Sequence, residues 1–360
     1  MKKLIYAILI IGASITLFWF ASDREEISDT VELATFSFDE NLQIAADEEV
    51  SVAIEVLSED ISKVDVFYDD TLLQSWSAPK ENLSFKLNGN LRGVGAKRLD
   101  LISTHKDGTS YTDNRMVRVV SDIIPIKLEA EIVKPYPHNT ESFTQGLEFY
   151  KGKLYESTGL HGKSKVFEVD PLTGKENEEV SMALDATHFG EGITILNDVI
   201  YQITWQNQKC ITYDLNDKIV PRGEFSYKGE GWGLCNDGKS IIMSNGTERL
   251  AFRNPETFLV ERTIEVYNNF GPIIALNELE FIDGMIYANV WMQEKIMVID
   301  PATGKVLQEI DAAELRAKGQ GPDQEVMNGI AYNPETQKTY VTGKNWAALF
   351  EVNFVNKAIQ

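Results

Sequence analysis

The sequence is poor in the residues that most often build metal and disulfide sites. Its 360 residues include only two cysteines, Cys210 and Cys235, and four histidines. The histidines, at positions 105, 138, 161 and 188, form no HExxH motif and no paired-ligand spacing, which argues against a zinc hydrolase. The cysteines allow one disulfide in an oxidising compartment, but we expect two buried thiols. We therefore expect no metal and no other cofactor.

Positive charge is also scarce. The chain has 34 basic residues against 55 acidic residues, a net charge of −21. Proteins that bind nucleic acid use clustered Lys and Arg to displace counterions from phosphates, and no such cluster occurs here. The same shortage argues against binding to an anionic membrane surface. Apolar residues make up 43 % of the chain and aromatic residues 10 %, which is enough to build folded cores.

A long uncharged run begins close to the N terminus. After Met1-Lys2-Lys3 it extends from Leu4 to Phe20. A basic start followed by an apolar stretch is typical of an export signal. The run is at the lower limit for crossing a bilayer, and bulky Trp19 and Phe20 stand where a cleavage site needs small residues. Residues 1–22 are therefore a signal peptide or a membrane anchor, the latter tethering the protein through residues 4–20. The two lysines predict an exported protein, periplasmic or anchored on the non-cytoplasmic side.

Residues 31–122 have the pattern of a small β-domain. Apolar and polar residues alternate in Val50–Val56, and the strand Leu99–Ser103 leads to a hairpin signal at Lys106–Gly108. Several short strands at this spacing over about 90 residues predict an immunoglobulin-like sandwich. We find no catalytic motif in it and expect a spacer or a docking module.

The remaining sequence repeats. Five segments share a strand, a turn and a second strand, followed each time by a third strand. They begin at residues 146, 192, 233, 278 and 329, so the intervals are 46, 41, 45 and 51 residues. Turns such as Pro171–Lys175 lead into a fourth strand. Four antiparallel strands every 40–50 residues are typical of a propeller blade. We predict an all-β protein whose residues 125–360 form a five-bladed β-propeller.

The last repeat lacks room for its fourth strand, because only seven residues follow Asn353. The segment Ile126–Val133, which precedes the first repeat, has the pattern of the missing strand. Pairing of the two ends would close the ring and protect an exposed sheet edge.

The repeat also predicts where side chains converge. Inner strands line the axis of a propeller, so the residues just before the five repeat starts should meet at one end of the channel. Residues where the second strands end should join them. Three of the six tryptophans occupy positions in these two rings. One tryptophan at the end of a strand usually serves packing, but three at equivalent repeat positions favour ligand contact. The two rings consist of Gln145, Glu191, Trp232, Asn277 and Asn328, and of Gly159, Trp205, Gly246, Trp291 and Lys344.

Glu191 is the residue in these rings best suited to chemistry. A carboxyl group placed among Phe189 and indoles would be desolvated, which raises its pKa and suits proton transfer. The alternative is an acid held by hydrogen bonds inside the channel. Two other patterns are weaker: Ser157–Ser164 resembles a phosphate-binding loop but lacks its first glycine and a following helix. Glu148 and Glu280, at equivalent repeat positions, are interpreted as structural rather than as a glycosidase pair.

Short motifs recur in all five repeats. They are Phe143–Leu147, Tyr155–Leu160, Phe189–Thr194, Tyr201–Trp205, Glu230–Leu234, Leu276–Glu280, Tyr287–Trp291 and Asn328–Ala331. These motifs resemble the glutaminyl-peptide cyclotransferase family of plant and bacterial type, a metal-independent five-bladed propeller. The resemblance covers nearly all of 131–354 but not the predicted sandwich. His161 and Lys165 depart from the residues expected after Tyr155–Leu160, and Cys235 stands where threonine is usual.

The resemblance implies a pocket and a reaction. The reaction is cyclisation of an N-terminal glutamine of a peptide or protein to pyroglutamate with loss of ammonia. Glu191 would move the proton, and Lys344 would stabilise the oxyanion with Asn277 or Gln145. The side chains expected to bind the substrate are Phe143, Phe189, Trp205, Trp232 and Trp291; the two phenylalanines follow from the resemblance alone.

Two other functions stay open on the sequence. A non-catalytic propeller could bind peptides or glycans through the same aromatic rim, and a structural envelope protein would need neither rim nor acid. The physiological substrate and the oligomeric state are not predicted.

Overall fold

The computed structural model describes residues 32–38 and 41–357, and it is an all-β structure, as predicted. In these residues the helical structure consists of a 3-10 turn at Gly89–Leu91 and the short helix α1 (Ala313–Lys318). No helix within the described ranges combines the length and the apolar composition needed to cross a bilayer. The predicted signal or anchor at residues 1–22 lies outside the described residues.

The N-terminal part contains eight strands in two sheets, with orders β1-β3-β6 and β2-β8-β7-β4-β5. Burial alternates along β4, because every second side chain of a half-buried strand faces the core. The predicted turn Lys106–Gly108 joins β7 to β8, with Gly108 at φ +95°. The strands are β1 (Ala34–Phe36), β2 (Asn41–Ala45), β3 (Glu49–Val56), β4 (Ile61–Tyr68), β5 (Thr71–Ser77), β6 (Leu83–Asn88), β7 (Gly95–His105) and β8 (Ser110–Val120).

The rest of the described chain forms β9 (Ile126–Pro137) and nineteen further strands. They group in chain order into consecutive antiparallel sheets, and each repeat seen in the sequence supplies the inner strands of one group. The first two groups are β10 (Thr144–Tyr150), β11 (Lys153–Thr158), β12 (Lys165–Asp170) and β13 (Lys175–Ala183), then β14 (Gly190–Leu196), β15 (Val199–Thr204), β16 (Lys209–Leu215) and β17 (Ile219–Ser226). The next are β18 (Leu234–Asn236), β19 (Ile241–Ser244), β20 (Arg249–Arg253) and β21 (Val260–Glu265), then β22 (Leu276–Ile282), β23 (Met285–Val290), β24 (Lys295–Ile299) and β25 (Val306–Asp311), and finally β26 (Met327–Asn333), β27 (Lys338–Gly343) and β28 (Ala348–Asn356).

The two ends of this region pair, as the sequence predicted. β9 runs antiparallel to β28, from Ala348 opposite Pro137 to Asn356 opposite Leu128. β9 therefore completes the last group as its fourth strand. A short parallel pairing also joins β9 to β25, so that β22–β25 and β26–β28 belong to one eight-stranded sheet.

Apolar side chains fill the spaces between neighbouring groups. In one cluster Cys235 and Ile242 of the third group pack with Leu279 and Ile286 of the fourth. Cys210 lies in a different cluster, so both thiols are buried and free. Burial raises the pKa of both thiols, which keeps them protonated and unreactive.

The N-terminal sheets contact the larger region at the end of β21 and along the segment that connects β21 to β22. The Tyr267 side chain packs into the N-terminal core, and the Asn268 carbonyl accepts from the Ser121 backbone amide at 3.1 Å. The Glu265 carboxylate accepts from the Ala96 amide at 2.8 Å. Gly95 is required beside it, because a Cβ there would lie 1.7 Å from Glu265 Oε2 and the backbone has φ +127°.

Candidate active site

Backbone irregularities at the start of the inner strands create the site. In β10, β14, β22 and β26 the pairing with the next strand shifts register within the first residues. A bulge of this kind takes a residue out of the ladder and redirects its side chain. The shifted stretches contain Gln145, Glu191, Asn277 and Asn328. These four belong to the first ring of residues that the repeat predicted.

The structure brings all nine predicted pocket side chains to one cavity of about 330 Å³. Its predicted polar members, Gln145, Glu191, Asn277 and Lys344, are each less than a tenth exposed, whereas Glu325 at the edge is exposed. The aromatic members are more accessible, and Trp291 at the mouth is 44 % exposed. The cavity is therefore a polar base under an aromatic wall. Its lining residues are Phe143, Gln145, Phe189, Glu191, Trp205, Trp232, Asn277, Trp291, Glu325 and Lys344.

The aromatic wall consists of two groups of rings. In the first, Phe189 packs edge-on against Phe143 at 6.1 Å and against Trp205 at 5.7 Å between centroids. In the second, Trp232 and Trp291 form a T-shaped pair at 5.7 Å. Such edge-to-face contacts are the favoured geometry for aromatic pairs and restrict the orientation of each ring.

Two glycines of the second predicted ring make room for this wall. A Cβ on Gly159 would lie 2.5 Å from Phe189 Cε1, and one on Gly246 would lie 2.6 Å from Trp232 Cζ2. Gly246 also has φ +78°, a conformation that glycine adopts readily. Two of the five predicted positions in this set do not line the cavity, and both are glycines. The absence of a side chain there lets a neighbouring aromatic side chain approach the backbone.

Glu191 and Lys344 perturb each other in the base of the cavity. Burial raises the pKa of Glu191 well above its ordinary value, although the charge of Lys344 acts in the opposite direction and that of Glu230 in the same one. Burial lowers the pKa of Lys344, opposed by the charges of Glu191 and Glu325. The Lys344 ammonium lies 4.7 Å from the centre of the Phe143 ring, a cation–π contact. Both groups are therefore displaced toward the pH range where proton transfer is useful.

Side-chain amides complete the base of the cavity. The Asn328 Nδ2 group donates to Gln145 Oε1 at 3.1 Å and to the Thr144 carbonyl at 3.0 Å. Asn328 thus lies behind Gln145 and fixes its orientation rather than lining the cavity. The Asn277 Oδ1 atom is buried and has no hydrogen-bond partner within the described chain. A buried, unsatisfied acceptor is costly, so it indicates a place where a ligand donates a hydrogen bond.

Two carboxylates near the cavity were not singled out from the sequence. Glu325 lines the cavity, and its backbone amide donates to the Lys344 carbonyl at 2.9 Å. It follows α1 within the longest interval between repeats, which was the available signal. Glu230 accepts from the indole N–H groups of Trp205 and Trp232. Its position in the Glu230–Leu234 motif was noted, but nothing in the repeat pointed to its partners.

Buried glutamates outside the cavity have a structural role. Glu148 accepts from the Ile195 amide at 3.0 Å, and Glu280 accepts from the Tyr332 amide at 2.8 Å. Glu278 accepts from the Ile330 amide at 2.9 Å. Each carboxyl therefore joins its own group of strands to a neighbouring group, in agreement with the interpretation of Glu148 and Glu280 from sequence. Within residues 32–38 and 41–357, no three His, Cys, Asp or Glu side chains are grouped to hold a metal ion.

Fold and site together define an all-β protein with one acid, one amine and several amides buried beneath aromatic rings. A family model described as glutamine cyclotransferase matches residues 109–354. A glutaminyl-peptide cyclotransferase of Arabidopsis thaliana is 38 % identical over 231 residues, covering 62 % of this chain and 71 % of that protein. The crystal structure of Myxococcus xanthus glutaminyl cyclase is 33 % identical with a TM-score of 0.61, covering 65 % of this chain and 100 % of that chain. The chain belongs to the glutamine cyclotransferase family.

Proposed function

We propose that this protein converts the N-terminal glutamine of peptides or proteins to pyroglutamate with release of ammonia. The observation that carries the proposal is the cavity itself, in which Glu191 and Lys344 are buried beneath five aromatic rings. Membership of the glutamine cyclotransferase family supports the same reaction.

The reaction needs no nucleophile from the protein. The α-amino nitrogen of the substrate attacks its own γ-carboxamide carbon, which forms the ring C–N bond and a tetrahedral oxyanion. One proton must then pass from the attacking nitrogen to the amide nitrogen, so that the second C–N bond breaks and ammonia leaves. A free α-amine has a pKa of about 7.7, so a neutral fraction exists at physiological pH.

Glu191 is suited to carry this proton. Its raised pKa lets the carboxylate accept the proton from the attacking nitrogen and then donate it to the departing one. Lys344 supplies positive charge at the same depth and stabilises the developing oxyanion. Asn328 occupies the Gln145 Oε1 atom, which leaves the Gln145 Nε2 group to donate to the substrate.

The aromatic wall has an orienting role. A glutamine side chain has several rotatable bonds, and cyclisation requires one folded conformation that brings the amine to the amide carbon. A narrow cavity with fixed walls restricts those bonds before the reaction begins, which lowers the entropic part of the barrier. The Asn277 Oδ1 atom, for which residues 32–38 and 41–357 supply no donor, is available to accept from an N–H group of the substrate.

The proposal extends to the architecture and location of the protein. The five consecutive groups of strands and the pairing of β9 with β28 support a five-bladed propeller over residues 125–360. The two N-terminal sheets around one core support an immunoglobulin-like sandwich for residues 31–122. The charge pattern of residues 1–22 supports export, with the protein periplasmic or tethered on the non-cytoplasmic side.

An ammonia-release assay tests the function directly. The purified protein should release one ammonia per molecule of a Gln-Ala peptide, and the product should have lost the mass of ammonia. The same peptide with an acetylated N terminus should release none, because its nitrogen cannot attack. Binding of the free peptide without ammonia release would instead identify a peptide-binding propeller and refute the enzymatic proposal.

A further inference from the structure

Glu230 lies behind the aromatic wall and binds one indole from each of its two groups of rings. It lies between β17 and β18, and its Oε2 atom accepts from Trp205 Nε1 at 2.8 Å and from Trp232 Nε1 at 3.0 Å. Its Oε1 atom accepts from Gln206 Nε2 at 3.1 Å. Hydrogen bonds to a charged acceptor are stronger and more directional than those between neutral groups.

The two indoles come from different parts of the aromatic wall. Trp205 belongs to the group that contains Phe189, whereas Trp232 belongs to the pair with Trp291. No aromatic contact in the described chain joins these two groups. The Glu230 carboxylate, with one indole on each side of the same oxygen, is therefore the connection between them.

This connection decides what the indoles present to a ligand. Each indole has a single N–H donor, and both donors are directed to Glu230 rather than to the cavity. The aromatic wall of the cavity therefore presents ring faces and C–H edges to a ligand. Hydrogen bonds to the ligand come from the amides and charged groups in the base of the cavity. Both indoles are only partly buried, so packing alone restricts them less than it would in a core.

We propose that Glu230 is a positioning residue, which clamps Trp205 and Trp232 at the spacing that the folded glutamine side chain requires. The inference rests on the proposed function and adds a residue that contacts neither the reacting atoms nor the substrate. Loss of the clamp frees both indoles to rotate, which weakens binding and allows unproductive conformations of the substrate.

The charge of Glu230 gives a second, independent signature. Three hydrogen-bond donors lower its pKa despite partial burial, so it is ionised at neutral pH. The charged groups that act on Glu191 are Lys344, which lowers the pKa of that carboxyl, and Glu230, which raises it. Glu325 acts on Lys344 in turn. Removing the Glu230 charge should therefore lower the pKa of Glu191.

The test compares Glu230→Gln and Glu230→Ala with the wild type in the ammonia assay, using the full chain. Glu224→Gln is the matched control, because Glu224 is an exposed residue of the preceding strand β17 that pairs with Lys209. We expect KM for the Gln-Ala peptide to rise about tenfold or more in Glu230→Ala and by less in Glu230→Gln, whose amide oxygen still accepts from one indole. The control should match the wild type.

Two further readouts separate positioning from a general loss of structure. The acid limb of the kcat/KM profile should move to lower pH in both Glu230 variants, because Glu191 then ionises more readily. In a Trp205→Phe background, Glu230→Gln should raise KM by a smaller factor than it does in the wild-type background, since the phenyl ring offers no N–H group to Glu230.

The outcomes are distinguishable. Absence of ammonia release by the wild type would refute the proposed function itself. An active wild type with unchanged KM and pH profile in Glu230→Ala, or with fully additive effects of Glu230→Gln and Trp205→Phe, would overturn the role of Glu230. If Glu230→Ala does not fold, the same criteria apply to Glu230→Gln.

Discussion

The substitution Glu191→Gln separates the chemical role of this side chain from its effect on stability, because it keeps the shape and removes the ionisable group. Glu191 is 6 % exposed, and burial raises its pKa even though the charge of Lys344 opposes the shift. The folded protein therefore favours the uncharged carboxylic acid, which glutamine imitates. We expect the variant to fold and to be at least as stable as the wild type at neutral pH.

The pH dependence of this stability has a definite sign. A carboxyl with a higher pKa in the folded state binds its proton more tightly there, so its contribution is fully present below the unfolded pKa. That contribution is lost as pH rises through the folded pKa, which lies well above 4.5. Glutamine suffers no such loss. The free energy of unfolding of Glu191→Gln, relative to the wild type, should therefore increase from acidic to neutral pH.

The activity of the same variant should fall steeply. A positioned general acid–base group contributes about 10²–10⁴ in rate, so we expect kcat to fall by about 10² or more with little change in KM. Ammonia release and denaturant unfolding, each measured at pH 5 and pH 7, provide the two quantities. Near-normal turnover would refute the assignment of proton transfer to Glu191. A large loss of stability at pH 7 would refute the inference that the folded state favours the neutral acid.

The remaining predictions concern charge, space and core packing. Lys344→Met should lower kcat by about 10². Lys344→Arg should retain part of the rate and move the alkaline limb of the kcat profile to higher pH, because the lowered pKa of the lysine no longer limits activity. A normal rate in Lys344→Met would place the oxyanion elsewhere. Gly159→Ala should raise KM by displacing Phe189, while Gly223→Ala, where the nearest atom is 3.8 Å away, should not, and equal kinetics would contradict the packing argument. Phe350→Ala should reduce the free energy of unfolding by about 3–5 kcal/mol, since this residue is 2 % exposed. A loss below about 1 kcal/mol in urea unfolding would contradict the placement of Phe350 in a packed core.

The sequence predicted the strands and the convergence of side chains because both depend on a repeated local pattern. Alternating apolar and polar residues and turn signals locate strands such as β3 and β7, and the spacing of the repeats aligns the inner strands of the larger region. The same alignment assigned Gly159 and Gly246 to the second ring, but their function of admitting Phe189 and Trp232 required the packed structure.

Features that depend on backbone register or on single contacts were beyond sequence reasoning. The bulge at Glu191 arises from the pairing of β14 with β15, which the residue pattern does not specify. Glu230 became recognisable only when two indole nitrogens were found at hydrogen-bond distance from one oxygen. The packing of Tyr267 into the N-terminal core likewise joins segments that share no motif.

The partnership of β9 with β28 also constrains how the chain matures. Tyr136 and Glu351, which share a hydrogen bond across this seam, are 215 positions apart in sequence. During synthesis β9 emerges long before β28, and the edge of β9 that β28 covers stays free until β28 has been made. Contacts between such distant segments slow folding, so closure of this seam should be a late event. A chain that lacks the nine residues of β28 therefore loses more than one strand, because β9 and β27 each lose the strand that covers one of their edges.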